Sequence, residues 1–240
     1  MKAFSINSII NLFNSKQIMT KHLLTLNDLL PSEIEEIIYD AKERKKKGLY
    51  TNELEGKFIS LIFEKSSTRT RVSFEVAMSQ LGGKASFFPI QELQLGRGEP
   101  LSDTAKVISS MVDCMVLRTA RHETLVQFSE NSGVPVINGL TDASHPCQLL
   151  ADLLTFFENQ GSIKNKKVTW IGDYNNVLRS LIQAQHLYLF QLNIVLPKQV
   201  FKRVKLQLNK NHQTKIMFTD NIKNAVKKSD CVMTDVWVSM

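Results

Sequence analysis

The sequence predicts an α/β fold of two doubly wound parallel-sheet domains, the second incomplete. The expectation rests on the alternation of short β-branched or aromatic runs with helical patterns from Phe58 onward, on a polar interruption near residue 160, and on a last strand pattern that runs out at Met240. Strands separated by helix-length segments pair in parallel, because a crossover helix returns the chain to the same end of the sheet.

The elements follow in chain order. A helix is expected over 31–47, its polar face ending in the basic run 42–47. Strands are expected at 58–63, 85–90, 112–117, 134–138, 168–171, 192–196, 215–218 and 231–236, where the β-branched and aromatic residues concentrate. Between them, helices are expected at 70–81, 102–110, 123–132, 146–159, 176–188, 198–209 and 221–228. The stretch 158–167, with Gly161 and three lysines, reads as a linker. The chain is therefore divided into an extension at 1–18, one domain at 19–160 and a partial second domain at 161–240.

Composition narrows the class. With 240 residues, 43% hydrophobic and 22% charged, the chain can bury roughly 70–75% of its unfolded surface. A formal charge of +7 favours anionic partners, but the run 42–47 is read as a solvated helix face, and without a nucleic-acid module nucleic acid is not an expected partner. No apolar run reaches the roughly 18–20 residues of a membrane span, so no membrane association is expected. Cys114, Cys147 and Cys231 show no paired spacing, so neither a metal nor a disulfide scaffold is expected. Residues 1–27 carry no acidic side chain, and Ile6, Ile9, Ile10 and Phe13 share a helical face. The absence of arginine there favours a cytoplasmic protein; a mitochondrial matrix location is the alternative if residues 1–18 are a transit peptide.

The densest chemistry lies in Lys65-Ser66-Ser67-Thr68-Arg69-Thr70-Arg71, four hydroxyls and three cations between the first strand and a helix start. A helix amino terminus leaves about four N–H groups unpaired and carries roughly half a positive charge, so a phosphate group satisfies both. Capping alone would need one hydroxyl. No GxxxxGK[ST] string is present, and Gly172 lacks the further glycines of a dinucleotide fingerprint; neither ATP nor NAD is expected, and no cofactor is assigned.

The string Ser67-Thr68-Arg69-Thr70-Arg71 resembles the carbamoyl phosphate signature of the aspartate and ornithine carbamoyltransferases. Further stretches agree in order: Gln94-Leu95-Gly96-Arg97-Gly98-Glu99, then Asp103-Thr104-Ala105, Arg118 after a strand, and His145-Pro146-Cys147-Gln148 opening a helix. Lys65, Gly172-Asp173-Tyr174-Asn175-Asn176-Val177 and Asp235-Val236-Trp237-Val238-Ser239-Met240 resemble the ornithine branch more than the aspartate branch. The resemblance implies carbamoyl transfer from carbamoyl phosphate to the δ-amine of L-ornithine, giving L-citrulline and phosphate, in arginine biosynthesis or a urea-cycle setting. It implies that Ser67, Thr68, Arg69 and Thr70 meet the phosphate, that Lys65 is a further substrate-binding residue, and that Thr68, Arg118, His145 and Gln148 act at the carbamoyl end. Gln94 would reach a neighbouring subunit's site in a homotrimer. Asn176, Asp235, Ser239 and Met240 would contact ornithine; the lesser alternative is that the Asn175-Asn176 pair simply caps a helix.

Two departures from the family stand out. Arg179 occupies a position where the ornithine enzymes commonly carry His, and the family's later His-Cys-Leu-Pro segment and closing helix have no counterpart in these 240 residues. Binding of carbamoyl phosphate is therefore expected, with weak or absent turnover; the alternatives are a non-catalytic carbamoyl-phosphate-binding remnant or an aspartate-type enzyme.

Overall fold

The computed structural model describes residues 20–48, 50–93, 98–201, 204 and 215–236. The chain forms two compact units, Met1–Leu154 and Thr155–Met240.

In the first unit, helix α1 (Pro31–Lys47) buries Ile34, Ile37, Ile38 and Ala41 on one stripe. Its ends suit the helix dipole: Leu30 N–H donates to Glu33 Oε2 at 2.8 Å, and Arg44 to Lys47 fill the last turn. The sheet follows with β1 (Phe58–Phe63), α2 (Thr68–Gln80), β2 (Lys84–Pro89), α3 (Leu101–Ser109), β3 (Cys114–Arg118), α4 (His122–Glu130), β4 (Val136–Leu140) and α5 (Pro146–Gln160). Its four strands lie in the order β2-β1-β3-β4, and all pair in parallel. Ile62, Ala105, Met115, Leu117, Leu125, Phe128 and Val136 form one tightly buried cluster that ties β1, β3 and β4 to α3 and α4; each such large side chain contributes about 1.5–3 kcal/mol through burial.

The strand order sets the function of the edge. From β1 the chain winds outward to β2, crosses back to β3 on the other side of β1, and continues outward to β4. Right-handed crossovers going in opposite directions place their helices on opposite faces, so the carboxyl ends of β1 and β3 are left uncovered. Register puts Phe63 beside Arg118 at this edge. A bulge between Leu117 and Arg118 lets Arg118 pair with Leu140. Gly139, the residue passed over, packs so closely that an added Cβ would lie 3.1 Å from the Leu117 carbonyl oxygen.

The second unit repeats the plan with β5 (Lys167–Ile171), α6 (Asn176–Tyr188), β6 (Gln191–Val195), β7 (Ile216–Thr219), α7 (Ile222–Ala225) and β8 (Cys231–Met233). The order β7-β6-β5-β8 is again parallel and reverses at β5. Trp170 in β5 is fully buried at its centre.

Several expectations shift. Helix α2 begins at Thr68, two residues before the expected 70, because Ser67 takes the extended N-cap conformation. Its end is set by Gly82 at φ 81°: Gly82 N–H donates to the Ser79 carbonyl and Gly83 N–H to the Met78 carbonyl, the paired bonds of a left-handed helix stop. Arg118 is the last residue of β3 rather than the residue after it. The final strand stops at Met233, not 236, since only Cys231, Val232 and Met233 pair with β5. Of the helix expected at 198–209, residues 198–201 are helical and most of the rest lies outside the described residues. The expected linker at 158–167 is in part the end of α5.

Candidate functional site

The first-unit site is assembled from three strand ends. Ser67 to Thr70 follow β1, Arg118 closes β3, and His145 stands between β4 and α5.

The start of α2 carries hydroxyls that do not cap it. The Ser67 hydroxyl makes no cap bond to the backbone and donates instead to Thr70 Oγ1 at 3.0 Å. No acidic residue stands in the first turn, in contrast to α1 with Glu33. Arg69 instead puts a cation at the positive end of the dipole, where it opposes stability by about 0.3–1 kcal/mol. An arrangement that omits the cap, omits the acid and adds a guanidinium is costly by itself and becomes favourable when an anion arrives.

Arg118 strengthens that reading. Only 8% of its surface is exposed, and its Nε is buried with no hydrogen-bond partner among the described residues. Its pKa is lowered, first by burial and then by the charge of Arg69. No carboxylate forms an ion pair with Arg69 or Arg118 among the described residues, although surface pairs such as Lys57–Asp113 are present. A buried guanidinium beside a second cation is stabilised only by a counter-ion.

His145 is half-buried. Its imidazole is pushed down from 6.5 to about 4, by desolvation first and by Arg118 second. At neutral pH it is therefore an uncharged donor and acceptor. Its loop is held by a buried network: Thr141 N–H donates to the Ser144 carbonyl at 3.0 Å, Ser144 N–H donates to Thr141 Oγ1 at 3.2 Å, and Asn138 Nδ2 donates to the Ser144 carbonyl at 3.3 Å and to the Leu24 carbonyl at 2.7 Å. Cys147, which opens α5 after Pro146, is buried with its thiol pushed up to about 12, too high for a nucleophile at neutral pH.

The remaining sequence-assigned residues divide. Lys65, Thr68 and Arg69 are exposed, while Ser67 and Thr70 are half-buried beside one another. Gln148 donates to Asp152 Oδ1 at 2.9 Å. Arg71 is engaged elsewhere, with Nε 2.9 Å from Glu75 and its guanidinium 4.1 Å above the Phe87 ring. Gln94, Ser239 and Met240 lie outside the described residues.

In the second unit, the carboxyl ends of β5 and β8 meet at the reversal. Asn175 is the N-cap of α6, its Oδ1 accepting from Val177 N–H and Leu178 N–H at 3.1 Å each. Its Nδ2 donates to Asp235 Oδ2 at 2.7 Å. The sequence reading assigns Asn176, which begins α6; the structure gives the link to Asp235 to Asn175. The Arg179 guanidinium lies 5.1 Å over the Tyr174 ring and so has a local role of its own. Sequence reasoning also passes over Glu64, whose carboxylate accepts from Ala120 N–H at 2.6 Å; its place at the first position beyond β1 was the available signal.

Fold and site together define a protein of two parallel α/β units, the first carrying an uncapped, cation-bearing helix start beside a buried arginine at its switch point. Comparison with known proteins makes the class specific. The carbamoyl-P binding domain of aspartate/ornithine carbamoyltransferase matches residues 21–158, and the Asp/Orn binding domain of that family matches residues 164–240. The chain belongs to the aspartate/ornithine carbamoyltransferase family. It is 46% identical over 224 residues to an ornithine carbamoyltransferase of Mesorhizobium japonicum, a match covering 92% of this chain and 74% of that protein. It is 48% identical over 225 residues to one of Ruthia magnifica, covering 92% and 75%. Among solved structures, the ornithine carbamoyltransferase of Burkholderia thailandensis matches with a TM-score of 0.82 and 42% identity, covering 90% of this chain and 76% of that one. That of Pyrococcus furiosus matches with 0.79 and 40%, covering 91% and 72%.

The depressed imidazole gives a pH test. The unfolded chain takes up a proton near 6.5, whereas folded His145 resists until about 4. More protons are bound in the unfolded state between these values, so the His145 contribution makes stability fall as pH drops from about 6.5 toward 4. An NMR titration of the ligand-free protein is expected to show the His145 ring neutral at pH 5.5; a midpoint near 6.5 would mean the ring is not held as described.

Proposed function

We propose that the protein transfers the carbamoyl group of carbamoyl phosphate to the δ-amine of L-ornithine, releasing L-citrulline and phosphate. The observation that carries the reading is the uncapped start of α2, bearing Arg69 and free of acid, beside buried Arg118 with its unpartnered Nε. These groups have no internal counter-charge among the described residues and suit a doubly charged phosphate.

The reaction follows from the chemistry of the parts. The phosphate is held by the amides of the first turn of α2, by the Ser67, Thr68 and Thr70 hydroxyls and by Arg69, with Lys65 as a nearby exposed cation. The neutral amine of ornithine attacks the carbamoyl carbon, charge develops on the carbamoyl oxygen, and the tetrahedral intermediate collapses with loss of phosphate. Thr68, Arg118 and neutral His145 are the donors for that oxygen, each such donor typically contributing about 10²–10³ in rate. Gln148 contacts the carbamoyl amide. Because an alkyl ammonium loses its proton only near ~10, turnover rises with pH through the neutral range.

Ornithine is the preferred acceptor on the chemistry of the second unit. Asp235 suits an α-ammonium and Asn176 a carboxylate, with Ser239 and Met240 as further contacts. Asn175 keeps the Asp235 carboxylate in place through its 2.7 Å bond. Assembly as a homotrimer, with Gln94 offered to the adjacent subunit, belongs to the same proposal.

Any turnover of carbamoyl phosphate and ornithine by the purified protein is expected to yield citrulline and phosphate in equal amounts, with none of the corresponding product from aspartate. Carbamoyl-aspartate formation without citrulline would overturn the choice of acceptor. Replacing Arg69 by Ala is expected to weaken carbamoyl phosphate binding by about 1.5–3 kcal/mol, through loss of charge-assisted bonds, in isothermal calorimetry; unchanged affinity would remove Arg69 from the site. Light scattering is expected to give three times the 27.3 kDa chain mass, and a monomer at assay concentration would remove Gln94 from its role.

A further inference from the structure

We infer that Glu64 is a positioning residue: it locks the phosphate-binding loop after β1 to the Arg118-bearing end of β3, and acts through a hydrogen bond rather than through its charge. The inference rests on the carbamoyl phosphate reading above and adds to it the group that fixes the distance between the two halves of the anion site.

Glu64 is the first residue beyond β1 and stands three residues before Ser67. Its backbone N–H donates to the Arg118 carbonyl at 2.8 Å, which extends the β1–β3 ladder by one bond past the strand. Its carboxylate Oε2 accepts from Ala120 N–H at 2.6 Å, and its carbonyl accepts from Gln91 Nε2 at 3.2 Å. One residue thus ties the segments following β1, β2 and β3 at the carboxyl edge where the winding reverses.

The need for such a tie is physical. Arg69 and Arg118 repel, as the lowered pKa of Arg118 reflects, so the α2 start and the β3 end need a tie other than the ligand to stay at the separation a phosphate requires. Backbone bonding between the β1 and β3 segments stops at Arg118. The loop 119–121 beyond it is fixed by the Thr119 hydroxyl donating to the Arg121 carbonyl at 2.9 Å, by Thr119 N–H donating to the Leu140 carbonyl at 3.1 Å, by Asp142 N–H donating to the Ala120 carbonyl at 3.0 Å, and by Glu64. Of these four, only Glu64 reaches across to β1.

Three substitutions separate reach from charge. Glu64→Gln keeps an oxygen at the same distance and loses the charge; Glu64→Asp keeps the charge and withdraws it by one methylene; Glu64→Ala loses both. The readout is carbamoyl phosphate affinity by calorimetry, with thermal unfolding and the amide exchange rate of Ala120 measured on the same samples. The Asp and Ala variants are expected to bind about tenfold more weakly, the loss expected of one hydrogen bond to a charged group, and to exchange the Ala120 amide faster. The Gln variant is expected to stay within about threefold of the parent. Equal loss in the Gln and Ala variants with Asp unaffected would assign the effect to charge and overturn the inference. Parent-like affinity in the Asp variant with a faster Ala120 amide would overturn it equally. If the Ala variant fails to fold, the Gln and Asp pair decides alone. Should the parent protein itself not bind carbamoyl phosphate, the site reading fails, whereas binding by the parent with indifference to all three changes defeats only the inference.

Discussion

A parallel sheet wound in opposite directions from its first strand cannot cover the carboxyl end of that strand, and the rest of this molecule is arranged around that constraint. The helices that follow β1 and β3 leave on opposite faces, so the edge between them keeps its backbone donors and is open to a ligand. The protein places a helix start without cap or acid on one side of this edge and a buried arginine on the other. Both choices reduce the stability of the empty protein, and a single anion at the edge would offset both.

The energetic logic separates this site from the surface charges. The half-buried Arg44 is matched by Asp40 and Glu53, and the more exposed Arg71 by Glu75, a pair of the kind that contributes little to folding. Arg69 and Arg118 have no such match among the described residues, and it is the unmatched pair that sits at the switch point. Around them the structure spends buried hydrogen bonds on position. Asn138 and Thr141 fix the turn before His145, and desolvation keeps that ring neutral, so that it adds no third cation beside Arg69 and Arg118. In the second unit the same reversal brings Asn175 and Asp235 together.

Much of this was legible in the sequence, and the reasons it was legible are specific. The β1 run 58–63 and the α6 pattern 176–188 were read to the residue, since each is a strong periodic segment bounded by turn formers. The start of α2 was placed two residues late because the hydroxyls at Ser67 and Thr68 suit a cap as well as a first turn. Arg118 falls just outside the expected strand because the apolar run ends at Leu117, whereas the ladder to β1 and β4 continues through Arg118. Asn175 and Glu64 act through partners 60 and 56 residues away in sequence, and no local pattern encodes such a pairing. The family resemblance supplied the remaining roles, and it ran ahead of local physics there.

The central claim is that the first turn of α2 and Arg118 form one receptor for a phosphate dianion. A crystal structure of the protein with carbamoyl phosphate, or with a non-hydrolysable phosphonate analogue, tests it most directly. The account requires the phosphorus group to lie within hydrogen-bond reach of the amides at Thr68, Arg69 and Thr70 and of the Arg69 guanidinium, with the carbamoyl oxygen toward Arg118 and His145. A ligand seated on the α1 lysines, or density at the β1–β3 edge with Arg118 turned away from it, would contradict the account.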